Sequence, residues 1–115
     1  MISARIADGN PNGFIRRGIA KSLTVAGHPS RALEVINEVP ADKLDHWLLY
    51  RRAEAELALG MSEALATAKD ALAGEQADIR AQKNLAAYFD MMSRCLSAAG
   101  ETKAAVDQTR LALAH

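Results

Sequence analysis

Three glycines, Gly27, Gly60 and Gly100, interrupt the helical pattern of this sequence, and they constrain its fold most strongly. Glycine can end a helix in a left-handed conformation because it has no Cβ to clash. Each of the three therefore predicts a tight turn between two helices. The clearest example is the stretch 44–72, which has the pattern of two amphipathic helices that meet at Gly60. The sequence predicts three helical hairpins in series.

The composition favours the same architecture. Half of the 115 residues are hydrophobic, only 4% are aromatic, and the apolar content is mainly Ala and Leu, the strongest helix formers. No stretch of strand length alternates apolar and polar residues with β-branched enrichment. We predict an all-α chain of about six antiparallel helices in one domain. Residues 1–13 form an arm and entry loop, and residues 14–114 form the domain, with units at 14–40, 44–74 and 78–114.

Helical spacing of three and four residues predicts which face of each helix is buried. For the first helix, 14–26, the predicted inward stripe consists of Ile15, Ile19, Leu23 and Ala26. For the last helix it consists of Ala105, Val106, Thr109, Leu111 and Leu113. Asp45, Ser62 and Thr102 are the predicted helix caps. We expect the fourth helix to end before the polar segment 74–78, and the fifth to run over 78–99.

A repeat accompanies the glycines, which are 33 and 40 residues apart. A small residue lies seven positions before each glycine, and an alanine follows each one shortly afterwards. The first set is Ala20, Ala53 and Ser93, and the second is Ala32, Ala64 and Ala105. This pattern resembles the tetratricopeptide repeat (TPR), a helix–turn–helix unit of about 34 residues.

The resemblance covers about residues 14–114 and implies an α–α superhelix. The chain departs from the family pattern at Arg16 and Glu56, where larger apolar residues are expected, and the turn between Gly60 and Ala64 is one residue short. The alternative is an unrelated bundle of Ala-rich helical hairpins.

The resemblance further implies that the first helices of the hairpins line a concave groove that holds a partner's peptide or helix. Helical spacing from the small packing positions assigns ten residues to this groove: Phe14, Arg17, Lys21, Trp47, Tyr50, Arg51, Glu54, Asp90, Met91 and Arg94. Trp47 and Tyr50 are the expected anchors, because aromatic side chains dominate binding energy at interfaces. The alternative for Trp47 is a core position between the first two hairpins.

The predicted groove contains more basic than acidic residues, through Arg17, Lys21, Arg51 and Arg94, which favours an acidic segment or a terminal carboxylate in the partner. The family's carboxylate clamp also needs asparagines between the basic residues. None is present at these positions, so the resemblance does not extend to that function. The alternative is a solvated charged face.

No pattern in the sequence predicts catalysis, a metal or a cofactor. The three histidines lack a second ligand at helical spacing, and Cys95 lies on an apolar stripe, as a buried structural thiol would. Asp42, Asp45, Glu54 and Glu56 are interpreted as caps and surface charge. We expect a protein that is not an enzyme.

Charge and hydropathy limit the partners and the compartment. The formal net charge is +0, which disfavours nucleic acid as a partner, although a regulator using Arg16, Arg17 and Lys21 is a third alternative. No apolar run is long enough to span a bilayer, and the N-terminus lacks a signal-peptide pattern. With a single cysteine, a cytoplasmic protein is expected.

The predicted function is protein–protein interaction, as an adaptor or chaperone. The main alternative is a self-associating structural domain or a fragment of a longer repeat protein. Repeat arrays normally carry a polar terminal cap, and the last helix ends near Leu113 without one. Either the outer side of the last helix is polar enough, through Lys103, Asp107, Gln108 and Arg110, or its open face packs on another molecule. The second option predicts a homodimer or an obligate partner.

Overall fold

Six α-helices in three consecutive hairpins form the described part of the computed structural model, which covers residues 13–77 and 84–114. The helices are α1 (Gly13–Val25), α2 (Pro29–Asn37), α3 (His46–Ala58), α4 (Glu63–Ala77), α5 (Leu85–Ala98) and α6 (Thr102–Leu113). A short 3₁₀ turn at Ala41–Lys43 joins the first two hairpins. The described ranges contain no strand, so the all-α prediction is confirmed.

The three predicted glycine turns are confirmed and share one geometry. Gly27, Gly60 and Gly100 have φ angles of 91°, 71° and 84°, a region that favours glycine. In each turn the amide after the glycine donates to a carbonyl five residues earlier, the pattern of a Schellman motif. The three bonds are His28 to Leu23 at 2.7 Å, Met61 to Glu56 at 2.9 Å, and Glu101 to Leu96 at 2.8 Å.

The predicted helix caps and helix ends are confirmed only in part. The Asp45 carboxylate accepts from the Leu48 amide at 2.8 Å, so its predicted capping role is confirmed. Thr102 is the first residue of α6 and makes no capping bond, so that prediction was wrong. Helix α4 continues through Gly74 to Ala77 instead of ending before it. The predicted start of the fifth helix, at 78–83, lies outside the described residues.

The hairpins pack in chain order through two apolar clusters. Helix α3 packs against both α1 and α2, and α5 packs against both α4 and α3. The first cluster contains Ala20, Ala32, Ile36, Val39, Leu48 and Ala55. The second contains Ala53, Ala64, Ala68, Met91, Met92, Cys95, Leu96 and Ala105. Helix α3 contributes to both, so it is the shared wall between the two halves of the core.

The predicted inward stripe 14–26 was wrong at Ile15, Ile19 and Ala26, which are exposed, whereas Leu23 packs against the first cluster as predicted. Ile15 and Ile19 are 47% and 38% exposed, whereas Arg16 and Ala20 are buried. The Arg16 guanidinium donates through Nη1 to the Val35 carbonyl at 2.7 Å and to Glu38 at 2.6 Å. These bonds let a charged side chain occupy the position where the repeat pattern expects a large apolar one.

The predicted inward face of α6 was also wrong in most of its residues. Only Ala105 is buried, and Leu113 is 83% exposed. Val106, Thr109 and Leu111 are exposed as well. Among the described elements, α5 is the main packing partner of α6. One neighbour covers only a narrow stripe of a helix, so the rest of its apolar residues face outward.

Candidate functional site

An open cleft lies where the first helices of the three hairpins face one another. Its cavity volume is about 420 Å³. The lining residues are Arg17, Gly18, Lys21, Trp47, Tyr50, Arg51, Asn84, Ala87 and Tyr88. They come from α1, from the first half of α3, and from the start of α5 with its N-cap residue Asn84. This volume falls within the range of about 300–1,000 Å³ that is common for ligand sites.

Five of the ten predicted groove residues line this cleft. These five are Arg17, Lys21, Trp47, Tyr50 and Arg51. Glu54 lies one turn along α3 and forms an ion pair with Arg51 at 3.2 Å. The side chain of Phe14 lies outside the described part of the structure.

The predicted contribution of the third hairpin was misplaced by about one turn. Met91 is 1% exposed and belongs to the second apolar cluster, so it cannot contact a partner. Asp90 and Arg94 bond to each other at 2.7 Å and do not line the cleft. Ala87 and Tyr88 take their place.

Two arginines lie over two aromatic rings at the cleft. The Arg17 guanidinium carbon is 4.9 Å from the centre of the Trp47 ring, and that of Arg51 is 5.0 Å from the centre of the Tyr50 ring. Both distances are within the range of about 6 Å for cation–π attraction. Trp47 is half-buried, so its ring both packs against the protein and lines the cleft.

A buried polar cluster, His46, Glu75 and Tyr88, lies beneath the cleft. His46 Nδ1 is 3.2 Å from both the Tyr88 hydroxyl and Glu75 Oε1, and the Tyr88 hydroxyl donates to the His46 carbonyl at 3.2 Å. Glu75, which is 0% exposed, also accepts from the Asn84 amide at 3.0 Å. The Glu75 carboxylate thereby joins the end of α4 to the first turn of α5, where Asn84 and Tyr88 line the cleft.

Burial makes the two tyrosines of the cleft harder to ionise. It is the main cause that raises the pKa of Tyr88, and the Glu75 carboxylate adds to it. Burial also raises the pKa of Tyr50, with Glu54 as the next cause. Both phenols are therefore neutral at physiological pH, and they provide ring surface and hydroxyl groups to the site.

The sequence did not reveal Gly74 or Glu75, which lay in the segment predicted to end the second unit. A Cβ added at Gly74 would lie 2.5 Å from the His46 Cβ, so glycine is what allows α4 to approach the start of α3. Nothing in the local pattern signals this contact, because it joins residues from different helices.

Two interpretations of charged residues were wrong. Glu56 is buried, not a surface charge, with its Oε2 3.4 Å from Arg52 Nε. Arg16 is buried and bonded to the backbone. The basic face predicted on α1 for a nucleic-acid regulator is therefore reduced to Arg17 and Lys21, both at the cleft.

Other chemical features of the described residues are few. Burial raises the pKa of the Cys95 thiol to about 11, so little thiolate exists at neutral pH. In residues 13–77 and 84–114, no three His, Cys, Asp or Glu side chains come together as a metal site. None of the helices in those ranges has the length and apolar character needed to cross a membrane.

Comparisons of the chain with protein-family models, with curated proteins and with solved structures gave no match. Its function is therefore inferred from the cleft itself.

Proposed function

We propose that the protein is a TPR-like interaction module, an adaptor or chaperone that holds a peptide or helix of a partner protein in the cleft. One observation carries this proposal. The cleft is lined by the first helix of every hairpin, with aromatic and basic side chains facing it. A surface built from successive repeats is the usual binding surface of helical repeat proteins.

The packing of the helices supports the superhelical part of the proposal. The three hairpins share one turn geometry, and the first helix of each later hairpin packs on both helices of the hairpin before it. Such nearest-neighbour packing is characteristic of repeat arrays. We propose this arrangement in preference to an unrelated helical bundle.

A binding role also suits the chemistry of the described residues. The buried His46, Glu75 and Tyr88 contact one another and backbone groups, and of the three only Tyr88 lines the cleft, so they support the cleft and do not present a reactive set to it. The Cys95 thiol is buried. We therefore propose a protein without catalytic activity, and one that acts in the cytoplasm, since its single cysteine leaves no internal disulfide to form.

The proposal is tested by selecting binders from a peptide library and measuring their affinity by calorimetry. Trp47→Ala together with Arg51→Ala is expected to weaken the selected peptides by about 2 kcal/mol or more, as expected for anchors at an interface. Lys69→Ala, an exposed cation on α4, is the matched control and should bind normally. Circular dichroism confirms that both variants fold. Unchanged binding by the double variant would rule out the cleft as the binding surface.

Self-association is a second candidate, favoured by the outer face of α6. Val106 and Leu113, seven residues apart and therefore on one side of the helix, are exposed there, and a second copy would remove this apolar surface from water. Sedimentation equilibrium tests this candidate: a dimer that dissociates in Val106→Lys, but not in the control Lys103→Gln, supports it. A monomer at all accessible concentrations would exclude it.

A further inference from the structure

Helix α3 packs on the first hairpin through one face, which can be located from its turn glycine. This face includes Leu48 and Ala55, which lie twelve and five positions before Gly60. Both are buried in the first cluster, whose other members lie on α1, on α2 or directly after α2. The positions twelve and five residues before a turn glycine therefore mark the face that meets the preceding hairpin.

Helix α5 uses the equivalent positions in the same way. Tyr88 and Cys95 lie twelve and five positions before Gly100, and both are buried. The Tyr88 hydroxyl donates to the His46 carbonyl of the second hairpin at 3.2 Å, and Cys95 shares the second cluster with Ala53 of α3. One face of the first helix thus forms the interface at both junctions between hairpins.

On α1 the equivalent face is exposed. Ile15 and Ser22 lie twelve and five positions before Gly27, and Ile15 is 47% exposed. Together with Ile19 they line an open cavity of about 470 Å³, and the described residues that line it carry no charge. Helix α1 therefore presents an apolar face of the kind that α3 and α5 bury against a preceding hairpin.

Helix α6 presents the matching half of such an interface. In the first hairpin this half includes Leu33 and Ile36 of α2, six and nine positions after the turn glycine, which pack with the residues of α3 in the first cluster. The equivalent residues of α6 are Val106 and Thr109, and both are exposed. Leu113, which lies on the same side of α6 as Val106, is exposed as well. The chain thus carries both halves of one type of interface on its outer faces.

Thr109 is a polar residue on the face of α6, yet covering it leaves no hydroxyl group unpaired. Thr109 Oγ1 is 2.6 Å from Ser93 Oγ, and the Ala105 carbonyl oxygen lies 3.0 Å from the first hydroxyl and 2.9 Å from the second. One hydroxyl can donate to the other, which in turn donates to the carbonyl. A buried polar group that keeps its hydrogen bond avoids the main penalty of burial, so this face is compatible with an apolar partner surface.

We propose that copies of this chain associate head to tail, with the outer face of α1 in one copy packed on the outer face of α6 in the next. A second copy is the occupant because the chain itself carries both halves of an interface that it already forms twice internally. This rests on self-association, the second candidate function above, and it specifies which faces meet. Because the two faces differ, each copy keeps one of them for a further copy, and the assembly does not close at the dimer.

Two variants that each block one face provide the test. Ile15→Lys places a charge on the face of α1, and Val106→Lys places one on the face of α6, where burial of an unpaired charge opposes association. Sedimentation equilibrium of the wild type should give an average mass that rises with concentration beyond that of a dimer. Each variant alone should stay monomeric. An equimolar mixture should form dimers and nothing larger, with an affinity at least about tenfold higher than that of either variant alone, because each variant keeps the face that the other has lost.

Leu59→Lys is the matched control. It adds the same charge at an exposed apolar residue of the second hairpin, outside both faces, and should associate like the wild type. Ile15 and Val106 are both exposed in the single chain. Thermal unfolding, at a dilution where the wild type is monomeric, should therefore give the wild-type melting temperature for all three variants.

Other outcomes contradict the proposal in distinct ways. If the wild-type mass levels off at that of a dimer and the mixture of variants stays monomeric, two like faces meet; head-to-tail association is then wrong and self-association stands. If the wild type is a monomer at every accessible concentration, self-association fails as well, and the binding function of the cleft is unaffected. If it is a monomer and Ile15→Lys alone lowers the melting temperature by several degrees, the face of α1 is covered within a single chain.

Discussion

Helices α1 and α5 are each the first helix of their hairpin, yet α5 buries many apolar side chains and α1 buries few. Helix α5 buries six residues with apolar surface: Tyr88, Phe89, Met91, Met92, Cys95 and Leu96. Among the described side chains of α1, only Arg16 and Ala20 are buried. Both helices line the cleft. The side of the cleft formed by α5 buries many apolar side chains and is called the deep wall, and the side formed by α1 buries few and is called the thin wall.

The difference follows from position in the array. Helix α5 is packed by α4, α6 and α3, whereas α1 packs against α2 and α3. Burial of apolar area is the main source of stability, at about 25 cal/mol per Å². Helix α5 is therefore expected to contribute more to stability than α1. Helix α1 carries two of the three cations of the cleft, Arg17 and Lys21.

The largest expected contrast comes from removing apolar side chains from the two walls. Met91→Ala on α5 should lower the free energy of unfolding by about 2–5 kcal/mol, because it leaves a cavity in the second cluster. Ile19→Ala on α1 removes a partly exposed side chain and should cost less than about 1 kcal/mol. Urea denaturation measures both. Equal losses would show that the two walls do not differ.

The next contrast concerns Arg16, the buried cation of the thin wall. Arg16→Ala leaves the Val35 carbonyl without this donor and should cost about 1–3 kcal/mol. Glu38→Ala removes the exposed partner of the same pair and should cost less than about 1 kcal/mol. Thermal unfolding of the two variants compares them. A larger loss from Glu38→Ala would assign the stabilisation to the ion pair instead of the backbone bond.

Alanine substitutions at two glycines are expected to change stability in opposite directions. Gly74→Ala should destabilise by about 1–3 kcal/mol, because its Cβ would lie 2.5 Å from the His46 Cβ. Gly18→Ala in α1 meets no atom within 4 Å, and alanine is the better helix former there by about 1 kcal/mol. We expect the melting temperature to fall for the first variant and rise for the second. A fall for both would mean that α1 is more closely packed than its exposure indicates.

The smallest expected effect is a loss of stability at alkaline pH, which comes from the buried Cys95 on α5. Burial raises the pKa of Cys95 from 9.0 to about 11, so the folded thiol keeps a proton that the unfolded one loses. Its contribution to stability is complete below about pH 9 and is lost as the pH rises towards 11. Urea denaturation under reducing conditions should show this decline, with a shallower slope in Cys95→Ala. An identical slope in the variant would assign the decline to other groups, such as Tyr50 and Tyr88.

Local signals explain what the sequence predicted correctly. A glycine after an apolar helical stripe needs no tertiary context to adopt a positive φ, so the three turns and six helices were predictable. On α3 the spacing also placed Trp47, Tyr50 and Arg51 on one face, because that helix is enclosed between two hairpins and its packing positions are small residues.

The end helices could not be predicted in the same way. A helix with one covered side can bury any of several stripes, and the choice depends on specific partners. On α1 the partners of Arg16 are Val35 and Glu38 of the neighbouring helix and its end, which outweighed the apolar stripe of Ile15 and Ile19. On α5 the predicted groove face included Met91, which is buried in the second cluster, whereas Ala87 and Tyr88 line the cleft.

The role of α3 as the shared wall has a consequence for a bound partner. The first hairpin packs on the rest of the described structure mainly through α3, and a segment in the cleft would also touch α1 and α5 on either side of it. Such a segment acts as a noncovalent crosslink between the first and last hairpins. Opening of the first hairpin, followed by amide hydrogen exchange in α1, should then become slower in proportion to the occupancy of the cleft.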